Sequence, residues 1–248
     1  SIENNDNDIV SDNGDSVRTI KDDNTDLIDK IYRTYGYKVT YGSEENYYYD
    51  GQECSILTDN NEANVTLNQI YKISSRFPNN FFRTMVKQNG FRIVLFSYMP
   101  YDTAGVASYE IPGDNVLYLS IHQAFLDRTF YHETWHMMEN YMSYFDNDPF
   151  NNWINLNPSD FKYGSDGVVY TLLNNVNHGT TCFITEYGKT NQHEDRAEIF
   201  ADLMFRPYKK PYMDAEYGVN TKAKNLALIL RRYFPNATGS AWENWITW

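Results

Sequence analysis

Cysteine is scarce in this 248-residue chain: Cys54 and Cys182 are the only two. Two thiols so far apart build neither a disulfide framework nor a zinc ribbon, and they leave open one disulfide or two inert thiols. Basic side chains are also short in number, 21 Lys and Arg against 33 Asp and Glu, for a formal net charge of −12. Phosphate recognition calls for a basic surface, so no nucleic acid is expected as the main partner, and docking on anionic lipid is disfavoured. No run approaches the ~18 apolar residues of a membrane helix, so no integral membrane segment is expected. No signal peptide is legible. Histidine is rare, at five residues, which gives weight to any motif that uses two of them. What the chain has in quantity is rings: 22 Tyr, 14 Phe and 5 Trp, within a hydrophobic fraction of 42%. Such side chains can build a core while keeping polar rims.

The acidic charge is uneven. Residues 1–30 hold nine acids against Arg18, Lys21 and Lys30, a formal −6 that is half of the chain's −12. Residues 1–25 have almost no apolar partners to offset their ordering entropy and read as a flexible acidic leader. Such a leader suits the tether of an exported domain and equally a disordered tail; export is the expectation. No linker, repeat or low-complexity tract divides 26–248, which reads as one domain. Helical spacing is expected over 26–36 (capped by Asp26), 65–77, 79–90, 128–145, 193–205 and 221–234, and strands over 37–42 and 91–98. Residues 106–121 read as a hairpin around Ile111-Pro112-Gly113-Asp114-Asn115. Residues 167–173 read as a helix and 181–188 as a strand. Helices, then a sheet, then helices make an α+β fold, with a small mixed or antiparallel sheet and a mainly helical C-terminal half.

The chemical signal is His132-Glu133-Thr134-Trp135-His136, an HExxH on a helical segment. Residues i and i+4 share one helical face, so both imidazoles can reach one metal ion, and Glu133 stands beside it without being a ligand. Zn2+ suits two imidazoles, and a catalytic zinc needs a third protein ligand. The extension HExxHxxGxxH would require Gly at 139 and His at 142, where this chain has Glu139 and Met142, so that class is excluded. The other common third ligand is a glutamate from a later helix. Glu194 and Glu198 are both candidates, four apart on one face, so that one can bind metal while the other orients a histidine.

Tyr187-Gly188-Lys189-Thr190-Asn191, followed by Glu194-Asp195-Arg196-Ala197-Glu198-Ile199-Phe200, resembles the zinc helix of the anthrax lethal factor catalytic domain and of the clostridial Pro-Pro endopeptidases. Residues 152–164 are similar to a stretch of uncharacterised bacterial zinc peptidases with the same Glu-Asp-Arg-Ala-Glu helix. The resemblance covers roughly 128–205 and implies a zincin-like, gluzincin-type fold. It implies that His132, His136 and Glu194 are the metal ligands, Glu198 the carboxylate behind them and Tyr187 the hydroxyl that meets the transition state. Two departures bear on the cleft: Trp135 stands where the family often has a small residue, and the gap from His136 to Glu194 is longer.

The activity implied is that of a zinc metalloendopeptidase acting on a peptide or protein substrate, secreted or tethered to a bacterial cell surface. Glu133 would be general base to a zinc-activated water, and Tyr187 would donate to the developing oxyanion. The hairpin strand just before the zinc helix would offer an edge to an extended peptide. A catalytically inactive zinc-binding module that holds peptides or proteins is the alternative, as is a non-peptidase hydrolase with the same metal set. Glu139, His178 and His193 stand in reserve as residues near the site, although the plainer reading of each is a loop or helix-surface side chain. Trp242, Trp245 and Trp248 can share one face, as core packing would require. Tyr47, Tyr48 and Tyr49 read more plainly as a strand edge than as a cleft wall.

Overall fold

The computed structural model describes residues 20–42, 47–122, 126–159, 161–164, 182–206, 218–235 and 241–247. The elements run α1 (Ile20–Tyr35), β1 (Lys38–Tyr41), β2 (Tyr48–Tyr49), β3 (Gln52–Glu53), β4 (Ser55–Ile56), α2 (Asn60–Ser74), α3 (Phe81–Asn89) and β5 (Arg92–Tyr98). Then follow β6 (Gly105–Ser108), β7 (Val116–Ser120), α4 (Leu126–Ser143), α5 (Gln192–Phe205) and α6 (Val219–Tyr233). The fold is α+β. Its main sheet is mixed, with order β1-β5-β7-β6: β1, β5 and β7 are parallel, β6 is antiparallel to β7, and β4 joins β5 antiparallel.

Alternation along the strands decides which side meets which layer. Ile93, Leu95, Leu117 and Leu119 face the helices and join the large core. Val94, Phe96, Val116 and Tyr118 face the other way and are capped by Tyr47 and Tyr49. Tyr47 lies flat on Tyr118, with ring centroids 3.8 Å apart. It belongs to the small β2–β3 hairpin, whose turn residues Asp50 and Gly51 have φ of 48° and 78°, the paired positive values a two-residue hairpin loop demands. Tyr47 and Tyr49 therefore cover the sheet, while Tyr48 between them is exposed. On the helical side the rings of Phe77, Phe81, Phe82, Phe130, Phe200 and Trp242 are linked by centroid distances of 6.4 Å or less in a chain of stacked, edge and tilted contacts. Trp242 and Trp245 are fully buried there, as their spacing predicts. Trp248 lies outside the described residues.

Three local expectations are corrected. The first helix begins at Ile20, not at Asp26, so the acidic leader does not extend to residue 25; residues 1–19 lie outside the described ones. The reason is tertiary: Asn24, 1% exposed, donates to Tyr41 Oη (3.0 Å) and the Asn60 carbonyl (2.8 Å) and accepts from Asn64 (2.8 Å). The helix expected from residue 65 begins at Asn60, because the Asp59 carboxylate accepts from the amides of Asn61 and Glu62 at 2.7 and 3.1 Å. Residues 182–189 form no extended strand: Thr185 is a single bridge residue among turn and bend positions that end in a 3-10 helix, Tyr187–Lys189, and its hydroxyl donates to the buried Glu198 carboxylate. The helix expected over 167–173 lies outside the described residues. Cys54 and Cys182 are buried thiols and form no disulfide. Among the described residues no helix is long and apolar enough to cross a membrane.

Candidate metal centre

The site is where α4 crosses α5. His132, Glu133 and His136 come from the middle of α4, and Glu194 and Glu198 from the first half of α5. The start of α5 is fixed by Asn191, whose side chain accepts from the amides of His193 (2.9 Å) and Glu194 (3.0 Å). That cap sets where the Glu194 carboxylate begins its reach toward α4.

Three donor atoms converge. His132 Nε2 lies 3.0 Å and His136 Nε2 3.5 Å from Glu194 Oε2, and the two nitrogens are 3.2 Å apart. Glu194 Oε2 is nevertheless a buried oxygen with no hydrogen bond: the imidazoles are close to it but not aligned to donate. A buried acceptor left in that state costs free energy unless a cation satisfies it. This His132, His136 and Glu194 group could hold a metal ion.

The other ring nitrogen of His132 is already committed. Nδ1 meets Glu198 Oε1 at 2.9 Å, so Nδ1 carries the proton and Nε2 offers its lone pair inward. Glu198 Oε2 accepts from Arg128 (2.6 Å) and Thr185 (2.6 Å). Burial would raise the Glu198 pKa, but the Arg128 charge and the His132 contact hold it down at about 2. Burial would likewise lower His132, but Glu194 and Glu198, with the Glu133 charge, raise it to about 10. Burial is also outweighed at Glu194, where the two imidazoles keep the carboxyl well below its usual range. Three carboxylates around one histidine thus give the pocket a negative field, which a divalent ion would answer.

Glu133 points to the sheet edge, where its Oε2 accepts the Ala107 backbone amide at 2.9 Å. The close approach requires Gly105: a Cβ there would lie 2.8 Å from Thr129 Cγ2 and 3.0 Å from Glu133 Cγ. Gly105, Val106 and Ala107 of β6 form one wall of a cleft of about 380 Å³ that is also lined by Tyr109, His132, Glu133, His136, Tyr187, Asn191, His193 and Glu194. The open edge is β6. The strand directly before the metal helix, β7, lies inside the sheet between β5 and β6, which corrects the expectation that it would offer the edge. The Tyr187 ring stacks beside His132, centroids 5.8 Å apart. Tyr109 also faces the acids: burial first, then the charges of Glu139, Glu194 and Glu133, push its phenol pKa up.

All five proposed metal-site side chains on α4 and α5 therefore meet, with Tyr187 beside them. Trp135 does not narrow the cleft. It is fully buried on the core side, against Phe150 and Phe200, and donates to Glu139 at 2.7 Å. Glu139 is no surface acid: it accepts from Trp135 on its own helix and clamps α4 to α5 through Arg196 and His193. His178 lies outside the described residues. Unforeseen in the sequence were Arg128, Thr185, Gly105 and the Ala107 amide. Arg128 alone had a readable signal, since it stands four residues before His132 on the same helical face. Compared with protein-family models, curated proteins and solved structures, the chain matches none.

Proposed function

We propose that this chain is a zinc-dependent endopeptidase with His132, His136 and Glu194 as ligands and Glu133 as general base. The observation that carries the reading is the convergence of His132 Nε2, His136 Nε2 and the unsatisfied Glu194 Oε2, with edges of 3.0, 3.2 and 3.5 Å, beside a carboxylate in an open cleft. Ligands at ~2.0–2.1 Å from a tetrahedral zinc stand about 3.3–3.4 Å apart, so the triangle needs only small adjustments. Two imidazoles and one carboxylate are also the donor set of catalytic rather than structural zinc.

Bound there, zinc would supply a Lewis acid that activates water and polarises a carbonyl. The chain's own groups account for the remaining roles. Glu133, steadied by the Ala107 amide, takes a proton from the attacking water and returns it to the leaving amine. Tyr187, which lines the cleft beside His132, donates to the oxygen that gains charge, a contact of the kind whose loss costs about 3 kcal/mol. Glu198 keeps His132 in the tautomer that presents Nε2. The outer edge of β6, whose Ala107 amide is already held by Glu133, offers its remaining backbone groups to an extended peptide.

The experiment loads the purified protein with zinc, measures bound metal, and incubates it with a diverse peptide library read by mass spectrometry. The parent is expected to bind one equivalent and to cut internal peptide bonds. Glu133→Ala should keep the zinc and lose about 10²–10⁴-fold in rate. Undiminished cleavage by that variant, or substoichiometric zinc in the parent, would sink the assignment.

A further inference from the structure

The carboxylate behind His132 also holds the turn that carries Tyr187. Thr185 Oγ1 lies 2.6 Å from Glu198 Oε2, and the Gly188 amide nitrogen lies 3.3 Å from the same hydroxyl oxygen. An amide N–H only donates, so the hydroxyl accepts from Gly188 and turns its own proton to Glu198. The two contacts straddle Tyr187, with residue 185 before it and residue 188 after it. At Gly188 the backbone packs on α5 itself, since a Cβ there would meet Asp195 Cα at 3.4 Å and Glu198 Cβ at 3.7 Å. The far side of the turn is closed by Thr190, whose hydroxyl donates to the Tyr187 carbonyl at 2.7 Å.

Glu198 is therefore a junction of three segments. From α4, His132 Nδ1 faces its Oε1 at 2.9 Å and Arg128 donates to its Oε2 at 2.6 Å. With a side chain only 4% exposed, the carboxylate has little freedom to leave these partners, because a buried acceptor that loses them stays unsatisfied. Whatever is fastened to Oε2 is thereby placed relative to His132. The Tyr187 ring is placed in this way: it lies beside the His132 ring, centroids 5.8 Å apart and planes 27° apart. Since α4 already holds the carboxylate twice, the Thr185 bond adds little to the position of Glu198 and much to that of the turn.

We infer that Thr185 is the positioning residue for Tyr187: its hydroxyl locks the Tyr187 turn to Glu198, so that one carboxylate orients both a metal ligand and the phenol beside it. This rests on the endopeptidase reading, in which Tyr187 meets the developing oxyanion, and extends it to what sets the place of that phenol.

Thr185→Val removes the hydroxyl and keeps the shape of the side chain. On the zinc-loaded full chain, with a library peptide that the parent cuts, kcat should fall about tenfold while KM changes less than about twofold, the pattern of a contact made in the transition state alone. Zinc stoichiometry and affinity should be unchanged, because Glu198 keeps Arg128 and His132. Hydrogen exchange read by mass spectrometry should show the Gly188 amide less protected than in the parent. Thr185→Ser should restore both kcat and protection, which lost packing of the methyl group would not allow. T185V/Y187F should be no slower than Y187F alone, since Thr185 acts through Tyr187. Thr185→Ala decides should T185V fail to fold. A parent-like kcat without the hydroxyl, or a double variant slower than Y187F, overturns this inference alone. A parent that binds zinc and cuts no library peptide overturns the endopeptidase reading and this inference with it.

Discussion

Gly105 shows how strictly the centre depends on single atoms. Its missing Cβ lets β6 approach α4 closely enough for the Ala107 amide to reach Glu133 at 2.9 Å. Gly105→Ala would place a methyl 2.8 Å from Thr129 Cγ2, 3.0 Å from Glu133 Cγ and 3.2 Å from Leu119 Cδ2. Of these, Thr129 and Leu119 are packed, so the strand or the Glu133 stem must move. On the endopeptidase reading proposed above, a displaced Glu133 is expected to lower kcat about tenfold to a hundredfold. Zinc affinity should change little, because His132, His136 and Glu194 do not touch Gly105. Steady-state cleavage alongside a metal titration checks this; parallel losses in both would show that β6 supports the ligands and not the base alone. The same scale shows what a sequence can carry. The i, i+4 geometry of a helix is local, so His132 with His136, and Glu194 with Glu198, are legible as same-face pairs. The hydrogen bond from Ala107 to Glu133 is not, since it depends on the distance between a strand and a helix.

Between elements, the crossing of α4 and α5 brings His132, His136 and Glu194 together, and a buried ion pair holds α5 to α6 behind them. Asp195, next to Glu194, and Lys222 of α6 are both fully buried and 2.7 Å apart. Asp195 Oδ2 also accepts from the Trp153 indole (2.9 Å) and Tyr163 (2.6 Å), while Lys222 donates to the Cys182 carbonyl (2.8 Å) and lies 4.0 Å over the Phe183 ring. One pair thus gathers α5, α6 and the segments around residues 153–163 and 182–183. Burial pushes the Asp195 pKa up and the Lys222 pKa down, the strain expected of charges taken out of water. Removing one partner is therefore worse than removing both. Lys222→Met should cost about 3–5 kcal/mol, and adding Asp195→Asn should recover part of that. Urea midpoints of the three proteins test it, and additive losses in the double variant would show the pair to be uncoupled. None of this network is readable from composition or periodicity. Asp195 in a helix beside two glutamates looks like a solvated acid, as Asn24 in an acidic stretch looks like part of a leader. In each case the partner lies on another element, 27 residues away for Lys222 and 36 for Asn60. Helices and strands with strong apolar spacing, such as β5 and α5, were legible because their periodicity states which face is buried.

For the whole molecule, acidification acts in two opposing directions. A formal charge of −12 destabilises the compact state by self-repulsion, which weakens as surface carboxylates take up protons. Buried carboxylates that are held ionised act the other way. Glu139 is one such case: burial raises its pKa, but the His193 hydrogen bond and Arg196 outweigh this and leave it below the ordinary value. A depressed folded-state pKa means that the unfolded chain binds the proton first. Its contribution to stability is therefore complete above the unfolded glutamate pKa of about 4.3, and is lost as pH falls from there toward the folded value. Salt separates the two effects. Exposed charges are screened within about 8 Å at physiological ionic strength, whereas a buried pair is screened much less. Urea unfolding from pH 7 to 3, at low and high salt, should show an acid-side fall in the parent that persists in high salt. Glu139→Gln should be less stable than the parent at pH 7, and that difference should shrink below about pH 4.3 as the parent's own carboxylate becomes protonated. A gap between parent and variant that stayed constant down to pH 3 would mean that Glu139 stabilises the α4–α5 crossing by shape and not by charge.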